Sequence, residues 1–102
     1  MKKVMVRYRV KPDKSEENIN LIKKVFEELK SKLPKGLKYA SFVLPDGVSF
    51  VHIASVETND ETNPLSMTEA FKTFQKEIKE RCEVPPEAVE LDEIGSYSFW
   101  GE

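Results

Sequence analysis

Two runs of β-forming residues lie close together in the middle of the chain, on either side of a tight-turn sequence. The first is "LKYASFVL" at 37–44 and the second is "VSFVHIASVE" at 48–57, with "PDG" at 45–47 between them. Pro followed by Asp-Gly favours a tight turn, so the two runs are predicted to pair as a β-hairpin. A helical pattern flanks this hairpin on each side, and the order of these segments decides the fold class.

A long amphipathic segment precedes the hairpin. Between about residues 14 and 33 the apolar residues recur every three or four positions, namely Ile19, Ile22, Phe26, Leu29 and Leu33. This spacing predicts a helix with one buried face. Asp13, with Glu16 three residues later, predicts a capping box at its start, and Pro34 with Gly36 predicts its end.

A second helical pattern follows the hairpin. Pro64 predicts its start, and Ser66 with Glu69 predicts its cap. Its apolar stripe consists of Met67, Ala70, Phe71, Phe74, Ile78 and Cys82. The sequence "EVPPE" at 83–87 is predicted to break this helix.

The remaining strands complete a recognisable order. Residues 2–11, "KKVMVRYRVK", alternate and predict strand one, and residues 88–100 predict a long strand four that bends at Gly95. The order is therefore βαββαβ. We expect one domain over 1–102 with a ferredoxin-like α+β fold, in which a four-stranded antiparallel sheet carries both helices on one face.

Strand three is apolar in the middle of both of its faces. Val48, Phe50, His52, Ala54 and Val56 point one way, and Ser49, Val51, Ile53 and Ser55 point the other. A sheet with helices on one face should be polar on the other face if that face meets water. We therefore expect the second face to be covered by a second copy of the chain, giving a homodimer.

The stretch "DGVSFVHI" at 46–53 matches part of an RNA-recognition signature, with Gly47 and Phe50 in register. The basic position of that signature is Asp46 here, and its other aromatic positions hold aliphatic residues. One ring remains where base stacking needs several. We therefore expect no nucleic-acid partner.

Composition limits the partners, the cellular compartment and the metal sites that can be expected. Sixteen Lys and Arg against 18 Asp and Glu give a net charge of −2, whereas nucleic-acid binders usually carry a basic excess. The one cysteine, Cys82, allows no intrachain disulfide, which fits a cytoplasmic protein. No segment reaches the length of a membrane span. One histidine, one cysteine and no clustered carboxylates predict no metal site.

The βαββαβ order, the "NPL" start of the second helix and the C-terminal "GSYSFW" resemble the dimeric α+β barrel superfamily, and within it the antibiotic-biosynthesis-monooxygenase-like branch. The resemblance implies that two sheets face each other as a barrel, with a small-molecule pocket between the sheet and the helices of each subunit. Haem-degrading members use an Asn on strand one together with a Trp and a His. Strand one here has Met5 and Arg7 and no Asn, so we expect no cofactor.

His52 and two arginines are candidates for catalysis and binding. His52 could act as a general base, or it could be a hydrogen-bonded core or interface residue. Arg7 and Arg9 share one face of strand one and could hold an anionic or carbonyl group. The alternative for both arginines is an ion pair with an acidic residue of strand four, namely Glu90, Asp92 or Glu93.

Aromatic residues supply the remaining candidates. Phe71 and Phe74 could line a pocket, with Tyr39 or Tyr97 as its hydrogen-bond donor, or they could be plain core at helical spacing. Two functions remain open. One is a cofactor-independent oxygenase acting on a small aromatic or polyketide-like molecule, and the other is a non-catalytic homodimer that binds a metabolite or has a structural role.

The C-terminal residues predict a second contribution to the dimer. Tyr97, Phe99 and Trp100 are large apolar groups near the end of the chain, and leaving them in water costs roughly 2 kcal/mol each. We expect the residues after Gly95 to cross to the partner subunit. The C-terminal strand would then join the sheet face in holding the homodimer together.

Overall fold

Four antiparallel strands form one sheet in the computed structural model, which describes residues 2–57 and 63–98. The strands are β1 (Lys2–Val10), β2 (Leu37–Val43), β3 (Ser49–Val56) and β4 (Cys82–Leu91). Their spatial order is β2-β3-β1-β4, with every neighbouring pair antiparallel. This is the predicted ferredoxin-like arrangement, and it makes β1 and β3 the two central strands.

The helices connect these strands in the predicted order, but the second helical region is divided into two helices. They are α1 (Ser15–Lys32), α2 (Glu69–Lys76) and α3 (Ile78–Arg81), and short 3-10 turns at Pro12–Lys14 and Pro64–Met67 precede α1 and α2. None of the helices in the described part of the chain is long and apolar enough to cross a membrane.

Both predicted helix caps differ from the observed ones. The capping box at Asp13 and Glu16 is wrong, because α1 begins after Lys14 without a side-chain cap and Asp13 lies in the 3-10 turn. The predicted cap at Ser66 is also wrong. Thr68 caps α2 by accepting a hydrogen bond from the Phe71 amide, because the backbone of Thr68 is extended between the 3-10 turn and the helix.

Strand β4 begins earlier and ends earlier than predicted. It includes Pro85 and Pro86, which were predicted only to end the preceding helix, and it ends at Leu91. Prolines fit here because β4 is an edge strand, where a missing N–H can face away from the sheet. The register with β1 shifts at this point, since Arg7 pairs with Glu87 and Arg9 pairs with Val84. Residues 92–98 lie outside any strand, so the predicted bend of the strand at Gly95 is wrong.

The core lies between the sheet and the helices. Its buried apolar members are Tyr8, Val10, Val25, Phe50, Leu65 and Phe74. The sheet residues among them come from the even-numbered positions of β1 and β3, in agreement with the predicted alternation of strand three. This side of the sheet is called the helix face below.

The opposite side of the sheet, called the open face below, carries a group of apolar residues in its middle and polar residues around them. Its central apolar residues, on four strands, are Met5, Ala40, Phe42, Val51, Ile53, Val89 and Leu91. Phe42 leaves 49% of its surface exposed. Arg7 and Glu87 form an ion pair of 3.3 Å across this face.

Candidate functional site

His52 is the centre of a hydrogen-bonded cluster on the helix face. The antiparallel register places it opposite Val6 of β1 and Ser41 of β2, so their side chains share one face. Its Nε2 lies 2.8 Å from Tyr8 Oη, and its Nδ1 lies 2.7 Å from both Tyr39 Oη and Ser41 Oγ. The imidazole is 5% exposed. Each of its ring nitrogens lies within hydrogen-bond distance of at least one hydroxyl.

Asn18 and Arg81 extend this cluster behind Tyr8. Asn18 of α1 donates from Nδ2 to Tyr8 Oη at 2.9 Å. Arg81, at the end of α3, donates from Nε to Asn18 Oδ1 at 3.2 Å and from Nη2 to the Phe74 carbonyl at 2.7 Å. A chain of hydrogen bonds thus runs from a guanidinium through an amide and a phenol to the imidazole.

Ring stacking holds the cluster in place. The Tyr8 ring lies nearly parallel to His52, with centroids 5.4 Å apart, and to Phe50, at 5.5 Å. Tyr39 stacks on the other side of the imidazole at 5.9 Å, and Phe74 meets it at a tilt at 5.5 Å. Rings packed in this way fix both the position and the plane of the imidazole.

Burial keeps the cluster uncharged at neutral pH, apart from Arg81. Loss of solvation lowers the pKa of His52 to about 4. Burial raises the pKa of Tyr39 to about 12 and raises the pKa of Tyr8 well above its usual range. The imidazole is therefore neutral, with one N–H and one lone pair, and both phenols keep their hydrogens.

A cavity of about 970 Å³ lies directly against this cluster. Tyr8, Tyr39 and His52 form its polar wall, and most of the remaining lining is apolar. The apolar lining residues are Val4, Val6, Ala54, Val56, Leu65, Phe71, Phe74, Ile78 and Pro86. This volume and this mixture of an apolar wall with a few convergent polar groups are typical of a small-molecule site.

The cavity carries cationic side chains and no acidic ones among its described lining residues. Lys2 and Lys79 line it, together with the uncharged polar groups of Asn63, Ser66 and Gln75. Lys2 lies six residues before Tyr8 on β1, which corresponds to roughly 20 Å along an extended strand. The cavity is therefore elongated, with the hydroxyl cluster at one end and an exposed lysine at the other.

Four of the predicted site residues meet at this cavity. His52 and Tyr39 belong to the hydroxyl cluster, and Phe71 and Phe74 line the adjacent wall. Phe74 is also a core residue, so the two roles considered for it coexist. His52 is buried and hydrogen-bonded, and it also lines the cavity, so its role as a base stays a prediction.

The other three predicted site residues lie elsewhere. Arg7 and Arg9 have odd positions on β1 and are exposed, so they point away from the cavity and cannot reach a ligand bound beside His52. Arg7 forms an ion pair with an acidic residue of strand four, which is the alternative considered for it. The partner is Glu87 and none of the three residues that were named for this role. Tyr97 is 93% exposed and does not line the cavity.

Sequence reasoning missed Tyr8, Asn18 and Arg81. Tyr8 shares its strand parity with the buried Val10, a signal that alternation along β1 could have given. Asn18 stands in the apolar stripe of α1, four residues before Ile22. Arg81 follows Ile78 by three residues on the buried side. A polar residue inside an apolar helical stripe is therefore the signal that would have found both.

Solved structures show where this fold has been seen before. A crystal structure of an antibiotic biosynthesis monooxygenase superposes with a TM-score of 0.75 at 22% identity, over 93% of this chain and all of that one. Rv0793 from Mycobacterium tuberculosis gives 0.74 at 14% identity, covering 93% of this chain and 96% of that one. A conserved protein from Methanosarcina mazei Go1 gives 0.71 at 18% identity, covering 88% and 89%.

Comparisons by sequence give no further assignment. Neither a family model nor a curated protein matches the chain. The likeness is therefore one of architecture, at 14–22% identity in the three structures described above. The chain has the ferredoxin-like fold of the antibiotic biosynthesis monooxygenase structures.

Proposed function

We propose that the chain binds a small aromatic molecule in the cavity beside His52 and acts on it as a cofactor-independent monooxygenase. The observation that carries this proposal is the neutral imidazole held between two phenols on the cavity wall. Such a cluster can pass a proton without carrying net charge, since one ring nitrogen accepts while the other donates. The antibiotic biosynthesis monooxygenase structures that share the fold support the same reaction class.

The reaction needs no reductant from outside the substrate. An activated CH₂ group of an aromatic ketone reacts with O₂ so that one oxygen atom forms a new carbonyl and the other leaves as water. The substrate itself supplies the four electrons and the two hydrogens of that water. The protein must bind the ring, accept or relay the proton released from carbon, and keep competing water away from the carbanion.

Oxygen consumption with anthrone as substrate tests this activity. We expect enzyme-dependent O₂ uptake in a ratio of one to one with the anthraquinone formed. Tyr8→Phe and Tyr39→Phe should each lower the rate at least about tenfold, because each removes a hydroxyl from the proton path. Arg7→Gln on the open face should leave the rate unchanged. A rate equal to that of anthrone without protein would refute the activity.

A non-catalytic binding function is the second candidate, and the low pKa of His52 favours it. With a pKa of about 4, placing a full proton on His52 at pH 7 costs about 4 kcal/mol. A site that never protonates its histidine can still recognise a ligand through hydroxyl groups. Saturable binding of anthrone without any O₂ uptake would identify this second function.

We also propose that the chain forms a homodimer through the open face. The support is the group of apolar residues in the middle of this face, which comes from four strands and includes the half-exposed Phe42 and the central Ile53. The cavity lies on the other side of the sheet, so a dimer of this kind leaves each cavity inside its own subunit. The ion pair between Arg7 and Glu87 lies on the same face.

A further inference from the structure

Arg81 is a buried cation held by neutral groups. It is 4% exposed, and none of the ion pairs in the described part of the chain includes it. Its partners are the amide oxygen of Asn18, the carbonyl of Phe74 and the Phe74 ring, which lies 5.3 Å from the guanidinium carbon. A buried charge without a carboxylate is costly. The Arg81 guanidinium lies behind the hydroxyl cluster, and this position indicates its role.

Arg81 decides which way the Asn18 amide points. An arginine side chain has donors and no acceptor, so the Asn18 atom facing it must be the oxygen. The Asn18 nitrogen then faces Tyr8 Oη and must donate to it. The orientation of this fully buried amide therefore follows from its chemistry.

The fixed amide in turn restricts Tyr8. Because Asn18 donates to Tyr8 Oη, the Tyr8 hydroxyl hydrogen cannot be used in that contact. Two directions remain for it among the described surroundings, toward His52 Nε2 at 2.8 Å or into the cavity that Tyr8 lines. If the hydrogen turns into the cavity, His52 must carry its own hydrogen on Nε2 and accept at Nδ1 from Tyr39 or Ser41.

We infer that Arg81 is a positioning residue which, through Asn18, reserves the Tyr8 hydroxyl hydrogen for an acceptor oxygen of the ligand. The inference rests on the proposed ligand site and adds the chemical class of its ligand, an aromatic molecule with a carbonyl or anionic oxygen at the end near Tyr8. No acidic side chain is among the described lining residues, so none of them repels an electron-rich oxygen there. Binding moves the imidazole hydrogen from Nδ1 to Nε2.

The first experiment needs no ligand, and it uses the fact that the sequence contains one histidine. In protein labelled with ¹⁵N-histidine, both ring nitrogens belong to His52, and their chemical shifts report the tautomer. Asn18→Asp keeps an oxygen toward Arg81 but accepts the Tyr8 hydrogen instead of donating. We expect the Nδ1–H form to dominate in the unchanged chain and the Nε2–H form in Asn18→Asp.

Matched variants separate this effect from general damage. Asn20→Asp makes the same change at an exposed position of the same helix and should leave the His52 spectrum unchanged. Arg81→Met frees the Asn18 amide to rotate, and we expect a mixture of the two tautomers. If Arg81→Met does not fold, Asn18→Asp still decides, because it keeps the arginine and its partner.

The second experiment uses two probes of nearly equal shape, acetophenone with a carbonyl oxygen and ethylbenzene without one. In the unchanged chain acetophenone should shift His52 to the Nε2–H form, and ethylbenzene should not. Asn18→Asp should lower the ratio of the two affinities up to about tenfold, the worth of one hydrogen bond. Binding is measured by NMR titration.

The outcomes distinguish the two levels of the proposal. If neither probe binds, the ligand site itself is wrong. If both bind but acetophenone leaves the tautomer unchanged, or Asn18→Asp leaves the tautomer and the affinity ratio unchanged, the positioning role of Arg81 is wrong while the cavity remains a binding site.

Discussion

At the scale of single residues, the site depends on groups whose charge is suppressed by burial. His52 contacts three hydroxyls and three rings, and the titratable groups that face it, Tyr8 and Tyr39, both stay neutral at ordinary pH. The one charge nearby, on Arg81, is separated from the imidazole by Asn18 and Tyr8. The cluster therefore offers uncharged hydrogen-bonding groups at pH 7. Protonation of His52 in acid is expected to lower the stability of the fold.

The stability of the fold should fall between pH 7.5 and pH 5 because of His52. Its pKa is about 4 in the folded chain and about 6.5 in the unfolded chain, so the unfolded state binds more protons in this range. The stabilisation is complete above the unfolded pKa and is lost as the pH falls toward 4. From these values we expect a loss of about 2 kcal/mol at pH 5, measured by urea unfolding.

A variant without the titrating group provides the control. His52→Gln should show a much flatter dependence between pH 7.5 and pH 5, even if it is less stable throughout. Equal slopes in the two proteins would contradict a buried neutral histidine. So would an NMR titration in which His52 protonates near pH 6.5.

Removing the two phenol hydroxyls should have unequal costs. Tyr8→Phe leaves both His52 Nε2 and the Asn18 amide without their partner, so we expect a loss of about 2 kcal/mol. Tyr39→Phe should cost less, since Ser41 Oγ also lies 2.7 Å from Nδ1. Chemical denaturation of both variants measures the difference. A larger loss of stability for Tyr39→Phe would contradict the inference that the Tyr8 hydroxyl makes the more stabilising hydrogen bonds.

At the scale of secondary structure, periodicity predicted the elements well and predicted their ends poorly. The alternation of strand three placed His52 on the helix face beside Phe50, because one buried face fixes the register of a strand. Caps and breaks depend on geometry that local patterns do not carry. Pro85 and Pro86 were predicted to end the helix, but their place inside β4 was not predicted, because their tolerance there depends on β4 being an edge, which is a property of the whole sheet.

The candidate site was predictable only in part for the same reason. Tyr39, His52, Phe71 and Phe74 were found from composition and parity on single elements. The contact of Asn18 with Arg81 joins residues 63 positions apart in sequence. No local pattern brings such a pair together, although each residue interrupts an apolar stripe.

The cap of α2 gives a test at this scale. Thr68 is buried, accepts from the Phe71 amide and donates to the Leu65 carbonyl at 2.8 Å. Thr68→Ala should therefore lower the free energy of unfolding by about 1–2 kcal/mol, measured by urea denaturation. Thr68→Ser keeps both bonds and should cost less. Thr73→Ala on the exposed side of the same helix is the matched control and should change stability little.

At the scale of the whole molecule, the helices lie on one face of the sheet and leave the other face open. The helix face encloses the cavity, and the open face is proposed to meet a second copy. This separation predicts that assembly and ligand binding can be changed independently by substitution, provided that the substituted residues point to opposite sides of the sheet.

Light scattering at micromolar protein should report twice the mass of the 11.7 kDa chain. Phe42→Asp places a charge on the open face, and we expect it to give a monomer that still binds aromatic probes in the cavity. Thr73→Asp, on the exposed side of α2, is the control and should remain dimeric. A monomeric unchanged chain would contradict the assembly inferred from the open face.

The C-terminal residues give a second test of assembly. Ile94 and Tyr97 are almost fully exposed in the single chain, which fits a segment that packs against a partner. Phe99 and Trp100 lie outside the described residues. Deleting 96–102 should weaken the dimer and lower the melting temperature, whereas deleting 101–102 alone should do neither. An unchanged dimer at nanomolar concentration after the longer deletion would contradict this role.

The two prolines of β4 also limit how many copies of the chain can add to one another edge to edge. Adding strands edge to edge into an open-ended array requires every copy to offer two receptive borders. Pro85 and Pro86 interrupt the row of N–H groups along β4, which leaves β2 as the border with an uninterrupted row. A unit with one receptive border can join one neighbour and then stops. Strand addition in this protein is therefore expected to end at a pair, and crowded solutions of it should resist fibre formation.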